Sequence, residues 1–482
     1  MKNKKILFHI LVFVTFLSIS ILLSKRVMQN DTFYSIRIGE SILKYGVDMK
    51  DHFSWLPNLS YTYPHWLYDL LIFCLYDVGG FSILHIFTII LGFILLYSMY
   101  HFSNNLVGNR ALSYALVTVS SFALHGFFTV RAQMMSYIFL LIILYSIEML
   151  RSTKNKRYYL YLFICSLLIA NMHLAVWLFI FVLFLPFIVQ DLIYLFVKKY
   201  KLKFVDNYKV EIEKSELKVT LIGLFICFIT GFMTPNFLVP FTYLINTYRG
   251  ISTKFINEHR PLVIGDRTEL YFYLLLFVIV ILLKKSKIKL RDLFLLCGLF
   301  LLSFLSFRSI ALFFILSIFS FVRLLNYEND KFNFIIYNEV YDLIVIVFFS
   351  ILGFCIIKTD MKVPFYEEYK YPIAASDYII ENVDYKNIKL YNEYGYGSYL
   401  ILRGIPVFID SRADLYLEEF NDCTAFRDFI NINSEYEETF KKYGFTHVLL
   451  KNDEVFNLIL KNDLNYKVIY TDDYFTIYEA LT

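Results

Sequence analysis

As far as about residue 360, apolar residues recur in runs of about 15 to 25, separated by short polar loops. A helix of about 20 apolar residues crosses a ~30 Å hydrocarbon core. The pattern therefore predicts membrane spans near 6–23, 81–102, 111–129, 132–150, 158–172, 174–197, 218–233, 269–283, 291–306, 308–325 and 338–358. YPHWLYDLLIFCLYDVGG (63–80) is amphipathic, short, and ends in two glycines; it is predicted to lie on the membrane surface or to re-enter. At Val363-Pro364 the pattern changes to that of a soluble domain. IKLYNEY, PVFID, THVLL and the pair YKVIY/YFTIY read as short strands, and PIAASDYIIENV, ADLYLEEFNDC and SEYEETFKKYG as helices. The expected architecture is an α-helical polytopic membrane protein with about eleven transmembrane helices over 1–360, its first outer loop at 24–80. An extracytoplasmic α/β domain follows over 361–482.

Composition agrees: 58% of the 482 residues are hydrophobic and only 18% charged, against roughly 25% charged in soluble domains. Lys2, Lys4 and Lys5 precede the first run without a small-residue cleavage site after it, so that helix is expected to be retained. With the N-terminus inside, the most basic short loops, RSTKNKR (151–157), KKYKLK (198–203) and KKSKIKLR (284–291), fall on the cytoplasmic side. An odd number of spans then puts the C-terminal domain outside. The net charge of +4 carries no signal for nucleic acid, because its basic residues sit in these loops. The six cysteines show no CxxC and no spacing suited to zinc, and no Gly-rich phosphate loop, GxSxG or internal repeat stands out. The abundance of Lys, Ile, Asn, Tyr and Phe fits an AT-rich bacterial genome and hence a bacterial cytoplasmic membrane.

In this topology the unusual polar residues collect on the outer side: Asp31, His65-Trp66, Arg131, Asn171 with His173, Thr234-Pro235-Asn236, Glu258-His259-Arg260 and Arg308. The inner side is expected to hold basic loops and little else. Polar groups at membrane depth are costly unless they act, so the asymmetry points to an extracytoplasmic site. Simpler roles stand beside this. Arg131 and Arg308 can be snorkelling anchors, His173 a hydrogen-bonded core histidine, Trp66 an aromatic-belt residue, and Asp31 the N-cap of TFYSIRIGESILKYG.

Taken together, these stretches resemble the bacterial GT-C superfamily of polytopic membrane glycosyltransferases. Asp31-Thr-Phe-Tyr-Ser-Ile-Arg-Ile-Gly39, Asp51-His-Phe-Ser54, His65-Trp66-Leu67 and Gly79-Gly80 are similar to that group's D-x-W-W-H-x-x-x-G, D-P-F-S, Trp-Leu and Gly-Gly elements. VRAQMMSY (130–137), ANMH (170–173), MTPN (233–236) and INEHRP (256–261) resemble later elements in the same order. YGYGSYLILRGIPVFIDSRADLY (394–416) resembles the stretch that ends many such chains. Phe33-Tyr34 stands in place of Trp-Trp, Ala132 in place of Pro, and Leu174 in place of Gly. YNEYGYG (391–397) is loosely similar to W-W-D-Y-G-Y of oligosaccharyltransferase catalytic subunits but lacks both tryptophans.

The resemblance implies transfer of a sugar from a polyprenyl-phosphate or diphosphate carrier to an envelope glycan, glycolipid or protein acceptor at the outer membrane face. It makes Asp31 the acceptor-activating base and Asp51 a second carboxylate that positions the acceptor or holds a divalent cation. Asp51 read alone is a turn-forming Asp. The leaving phosphate needs cationic or hydrogen-bonding partners, for which Arg131, Arg260, Arg308 and His173 are candidates. His65, Trp66, Asn171, Glu258, Asp410 and Arg412 complete the candidate set, although Asp410–Arg412 reads rather as a buried pair holding a loop than as an acceptor contact. The partners expected are the lipid-linked donor, membrane lipids and the acceptor. A non-catalytic relative that binds or transports lipid-linked glycans is the alternative.

Overall fold

The structure is a computed structural model, and it describes residues 2–201, 210–263, 265–283, 288–326, 343–344, 346–348, 351 and 364–481. A helix occupies the place of each of the first ten predicted spans; the eleventh, near 338–358, lies mostly outside the described residues. Among the described residues, Trp66–Val107, Ala132–Thr153 and Leu174–Tyr200 are long and apolar enough to cross a membrane. Phe307–Leu316 with Ile318–Leu325, bent by 47°, makes a fourth, while Phe8–Leu23, Arg157–Met172 and Leu217–Thr230 are apolar but shorter. The remaining expected crossings rest on hydropathy alone.

By contacts the chain divides into two compact units, each discontinuous in sequence. One comprises Met1–Lys25, His85–Pro240 and Ile256–Met361; the other comprises Arg26–Leu84, Phe241–Phe255 and Lys362–Thr482. The first loop thus belongs with the tail, not with the helices that flank it.

The first unit is a helical bundle. Its core is Val12, Phe16, Leu95, Tyr114, Leu140, Leu144 and Trp177, while Leu160, Leu185, Phe196, Phe225, Phe272 and Leu301 point outward as lipid-facing residues do. The expectation that the ends bordering loops 151–157 and 284–291 hold little besides basic residues is not met. Arg151 makes a two-pronged bond to Asp191 (2.6 and 2.8 Å) and a third to Thr220 (2.6 Å). Glu148 receives Arg291 (2.8 Å) and Arg323 (2.9 Å). Arg323 and Ser320 also bond Asp292, and Arg291 and Lys289 bond Glu213 (2.9 and 2.8 Å). Charges this buried persist only when paired, and here carboxylates and guanidiniums alternate across several helices.

In the second unit α1 (Asn30–Tyr45) and the limb 66–78 pack with the tail. The long helix Trp66–Val107 breaks at Gly79 and Gly80, Gly80 taking the left-handed φ of 63°. That break falls where the sequence ends its surface segment. The tail sheet has strands β1 (Leu390–Tyr391), β2 (His447–Lys451), β3 (Tyr466–Thr471) and β4 (Phe475–Ala480) in the order β1-β2-β4-β3. β1 runs parallel to β2; β4 is antiparallel to both its neighbours. PVFID, expected as a strand, is not part of this sheet. Val407 makes only a bridge to Ser54, because the Asn392 side chain takes the backbone groups a ladder would use: it accepts from Phe408 N (2.8 Å) and donates to Ile409 O (2.7 Å). Tyr34, Ile38, Ile42, Leu59, Tyr61 and Tyr63 join Tyr391, Phe408, Phe426, Phe440 and Phe456 in one core.

Candidate active site

The loop 46–65 has little regular structure, and its course is set by bonds to the tail. Ser54 Oγ donates to Val407 O (2.9 Å), Val407 N to Phe53 O (3.1 Å) and Trp55 Nε1 to Leu390 O (3.0 Å). Asn421 bonds both backbone groups of Ser60 at 2.9 Å. These anchors tie the loop that follows α1 to the tail.

Asp31 lies partly exposed in the first turn of α1. The cap position itself is Gln29, which makes no side-chain cap bond. Asp31 is therefore inside the helix, where the dipole favours negative charge. Asn30 donates to Tyr394 O (2.9 Å), tying this turn to the YNEYGYG segment. His65 and Trp66 start the limb 66–78, both partly exposed, with Trp66 against the unit's core.

Asp51, Asp410 and Arg412 come together in a buried knot. One Asp51 oxygen accepts from Ser54 N (2.7 Å) and Phe53 N (3.3 Å) in a local turn; the other accepts from Arg412 Nη1 (2.5 Å). Arg412 forks onto Asp410 (2.9 and 2.8 Å), lies over the Tyr61 ring at 5.0 Å, and Tyr416 donates to Asp410. Asp414 stands nearby, bonded by Tyr243 (3.1 Å); burial raises its pKa above the ordinary range.

In the helical unit, Arg131, Glu258 and Arg308 form a second cluster. Arg131 donates to one Glu258 oxygen (2.5 Å) and Arg308 lies 3.3 Å from the other. With the Gln133 amide oriented to accept, Arg308 also bonds that side chain. Burial works against the Glu258 charge, yet Arg131 and Arg308 hold its pKa down at about 2. Burial and the neighbouring Arg308 lower His259 to about 4, leaving it neutral at pH 7. Two guanidiniums facing one carboxylate leave a net positive centre with donors in fork geometry, the arrangement that takes a phosphate.

The other candidates have partners of their own. His173 Nδ1 lies 2.8 Å from Ser136 Oγ, and Asn171 donates to Leu167 O (2.9 Å) and Met233 O (3.1 Å), crossing between helices. Arg260 pairs in two bonds with Asp266 (2.7 and 3.0 Å) and stacks over Phe307. Sequence reasoning missed Gln133, Tyr416 and Asp69, the last an acid on the buried face of the limb 66–78. Its signal was there, since Tyr68 and Ile72 flank it on that face. No group of three His, Cys, Asp or Glu among the described residues is arranged to hold a metal ion. Asp51 already spends its oxygens on Arg412 and on the backbone N–H groups of Phe53 and Ser54, and no step is routed through a divalent cation.

Neither a described protein family nor a curated protein matches the sequence. Solved structures do match. The oligosaccharyltransferase of Archaeoglobus fulgidus in its apo form aligns over 92% of this chain and 69% of its own, with a TM-score of 0.54 at 14% identity. ArnT from Cupriavidus metallidurans, solved bound to undecaprenyl phosphate, aligns over 99% of this chain and 98% of its own, with a TM-score of 0.52 at 12% identity. The fold is GT-C-like. At these identities the likeness speaks to architecture, and the GT-C-like chain's chemistry has to be argued from its own residues.

Proposed function

We propose that this GT-C-like chain is a membrane glycosyltransferase. It moves a sugar from a polyprenyl-phosphate or diphosphate carrier to an envelope glycan, glycolipid or protein acceptor on the extracytoplasmic face. The observation that carries this reading is the match along essentially the whole of both chains to ArnT, whose structure holds undecaprenyl phosphate. The residues supply the chemistry. Asp31 takes the proton from the acceptor hydroxyl as its oxygen attacks the anomeric carbon. The bond from that carbon to the carrier phosphate breaks, and the phosphate leaves with the electron pair. Within the helical unit, Arg131 and Arg308, with Glu258 as their counter-ion, supply a cationic centre of the kind a phosphate needs. His65 and Trp66 border the acceptor, Asn171 and His173 brace the helical unit, and Asp51, Asp410 and Arg412 hold the first loop.

The test compares envelope glycans and lipid-linked sugars by mass spectrometry in a parent strain, a deletion, and the deletion carrying Asp31→Asn. Loss of one sugar in both mutants, with accumulation of its lipid-linked form, is the expected result and names the donor. Parental glycans in the Asp31→Asn strain would remove the base, and unaltered glycans in the deletion would leave a lipid-linked-glycan binder in place of an enzyme.

A further inference from the structure

Arg308 in the helical unit is held in an unusual way. Its Nε and Nη2 both lie 2.5 Å from the side-chain oxygen of Gln133, so an amide occupies the fork edge that a carboxylate usually takes. The oxygen and not the nitrogen faces the fork, because the NH2 end would set donors against donors. Gln133 is buried in the first turn of the helix Ala132–Thr153, two residues after Arg131.

The Glu258 carboxylate is shared unequally between the two arginines. Arg131 donates to it at 2.5 Å, whereas Arg308 Nη2 stands 3.3 Å away, beyond the roughly 2.7–2.9 Å of a charge-assisted bond. Glu258 is therefore spent mainly on Arg131. Arg308 Nη1 makes no hydrogen bond among the described residues, and the side chain is 32% exposed. The backbone beside Arg308 is fixed: Phe307 N donates to Arg260 O (3.0 Å), Leu262 N to Phe304 O (3.1 Å) and Ser306 Oγ to Glu258 O (3.4 Å). Gln133, from a different helix, extends that hold to the guanidinium itself.

We propose that Gln133 is a positioning residue for Arg308, holding one edge of the guanidinium without cancelling its charge so that Nη1 is presented to the phosphate of a polyprenyl-phosphate carrier. The role rests on this cationic centre being the phosphate site of the proposed function. An arginine fixed beforehand has already lost the rotamer freedom that a mobile one loses on binding. The neutrality of the amide matters as much as its hold. A Glu at 133 would grip the same edge more strongly, but two guanidiniums and two carboxylates leave no net charge for an anion to meet. His259, neutral at pH 7, does not alter that count.

The test measures binding of undecaprenyl phosphate to the full-length protein by native mass spectrometry from detergent, with undecaprenol as the uncharged control. The wild type is expected to prefer the phosphate. Gln133→Glu should weaken undecaprenyl phosphate about tenfold or more, the weight of a hydrogen bond to a charged group. It should leave undecaprenol unchanged and have a thermal midpoint no lower than wild type; a lower midpoint means that the acid does not grip the fork and refutes the geometry. Gln133→Leu should weaken the phosphate by a similar factor through loss of the hold. A merely structural link would be served equally well by Glu. Wild-type phosphate binding by Gln133→Glu therefore overturns the proposal, even where Gln133→Leu fails to fold. Arg308→Met separates the two claims. If it loses the preference for phosphate while both Gln133 variants keep it, the centre binds phosphate and the positioning role is wrong. If Arg308→Met binds as wild type does, the phosphate site of the proposed function is wrong and the positioning role falls with it.

Discussion

Replacing Arg412 with Met should loosen the first loop without removing any acid from the site. The Arg412 side chain is 1% exposed and answers two carboxylates, Asp51 at 2% and Asp410 at 0%. Removing it leaves Asp51 with two backbone donors and Asp410 with the Tyr416 hydroxyl and the backbone N–H of residue 412. Those bonds satisfy lone pairs but do not cancel charge. Losing one partner of a buried ion pair costs about 3–5 kcal/mol. At about 1.4 kcal/mol per tenfold, the open population of the loop rises by roughly two to three and a half orders of magnitude. Proteolysis in the regime of fast reclosing reports that population directly. Lys50 is exposed and lies next to Asp51. Trypsin cleavage after Lys50, followed by mass spectrometry on the protein in nanodiscs, is the assay. Arg412→Met should accelerate it by about a hundredfold or more, up to the ceiling set by a fully open loop. Asp51→Asn keeps the Arg412–Asp410 fork and should accelerate it less. Cleavage of Arg412→Met within about threefold of wild type would mean that the knot does not hold the loop, and the magnitude taken from a buried ion pair would be wrong here.

Glu258 has its pKa lowered from 4.5 to about 2, so its ion pairs contribute stability above pH 4.5 that is lost as pH falls through about 2. Thermal midpoints should drop across that window in wild type and less in Glu258→Gln. Glu393 goes the other way: burial and Glu454 raise it to about 8, so the favourable protonated form is fully present below pH 4.5 and its contribution disappears as pH rises through 8. Glu393→Gln should raise the midpoint at pH 9 and leave it unchanged at pH 4. Gly397→Ala would place a Cβ 2.1 Å from Ile409 O, and a backbone clash of that size should cost about 1–3 kcal/mol or more, seen as a lower midpoint and faster tail proteolysis. Arg323→Met leaves Glu148 and Asp292 short of a partner in the bundle and should destabilise it by about 3–5 kcal/mol, with less folded protein recovered in detergent.

Much of the architecture was legible because its cause is local. Apolar runs of spanning length give helices, Gly79-Gly80 interrupts one, and the compositional change near 363 marks the sheet-bearing tail. What escaped was pairing at a distance. Arg151 and Asp191 are 40 residues apart and Arg323 and Glu148 are 175 apart, so each charge read singly looked like the flank of a basic loop. PVFID has the composition of a strand, but Asn392 satisfies its backbone in place of a neighbouring strand. Asp69 was hidden for another reason: one acid in an amphipathic segment suggests a solvated face, and only the close approach at Gly39 turns that face inward.

The same distance explains why the candidate site could be named but not assembled from the sequence. Asp51 and Arg412 are 361 residues apart, as are Ser60 and Asn421. A loop of some twenty residues with little regular structure is uncommon in a compact domain and is held only by what it packs against. Here Tyr61 and Tyr63 are buried among tail residues, and Trp55 reaches the carbonyl of β1. The tail therefore acts on the first loop as a mould, and the loop in turn joins the end of α1 to the start of the limb 66–78, while Asn30 ties the first turn of α1, beside Asp31, to Tyr394 of the tail. A carboxylate works as a base only when its acceptor lies within hydrogen-bond reach, and small displacements are costly. On the proposed function, mutations in the tail should therefore damage transfer through Asp31 even though they remove neither the acid nor the cationic centre, and the Arg412→Met cleavage assay separates that route from loss of the acid itself.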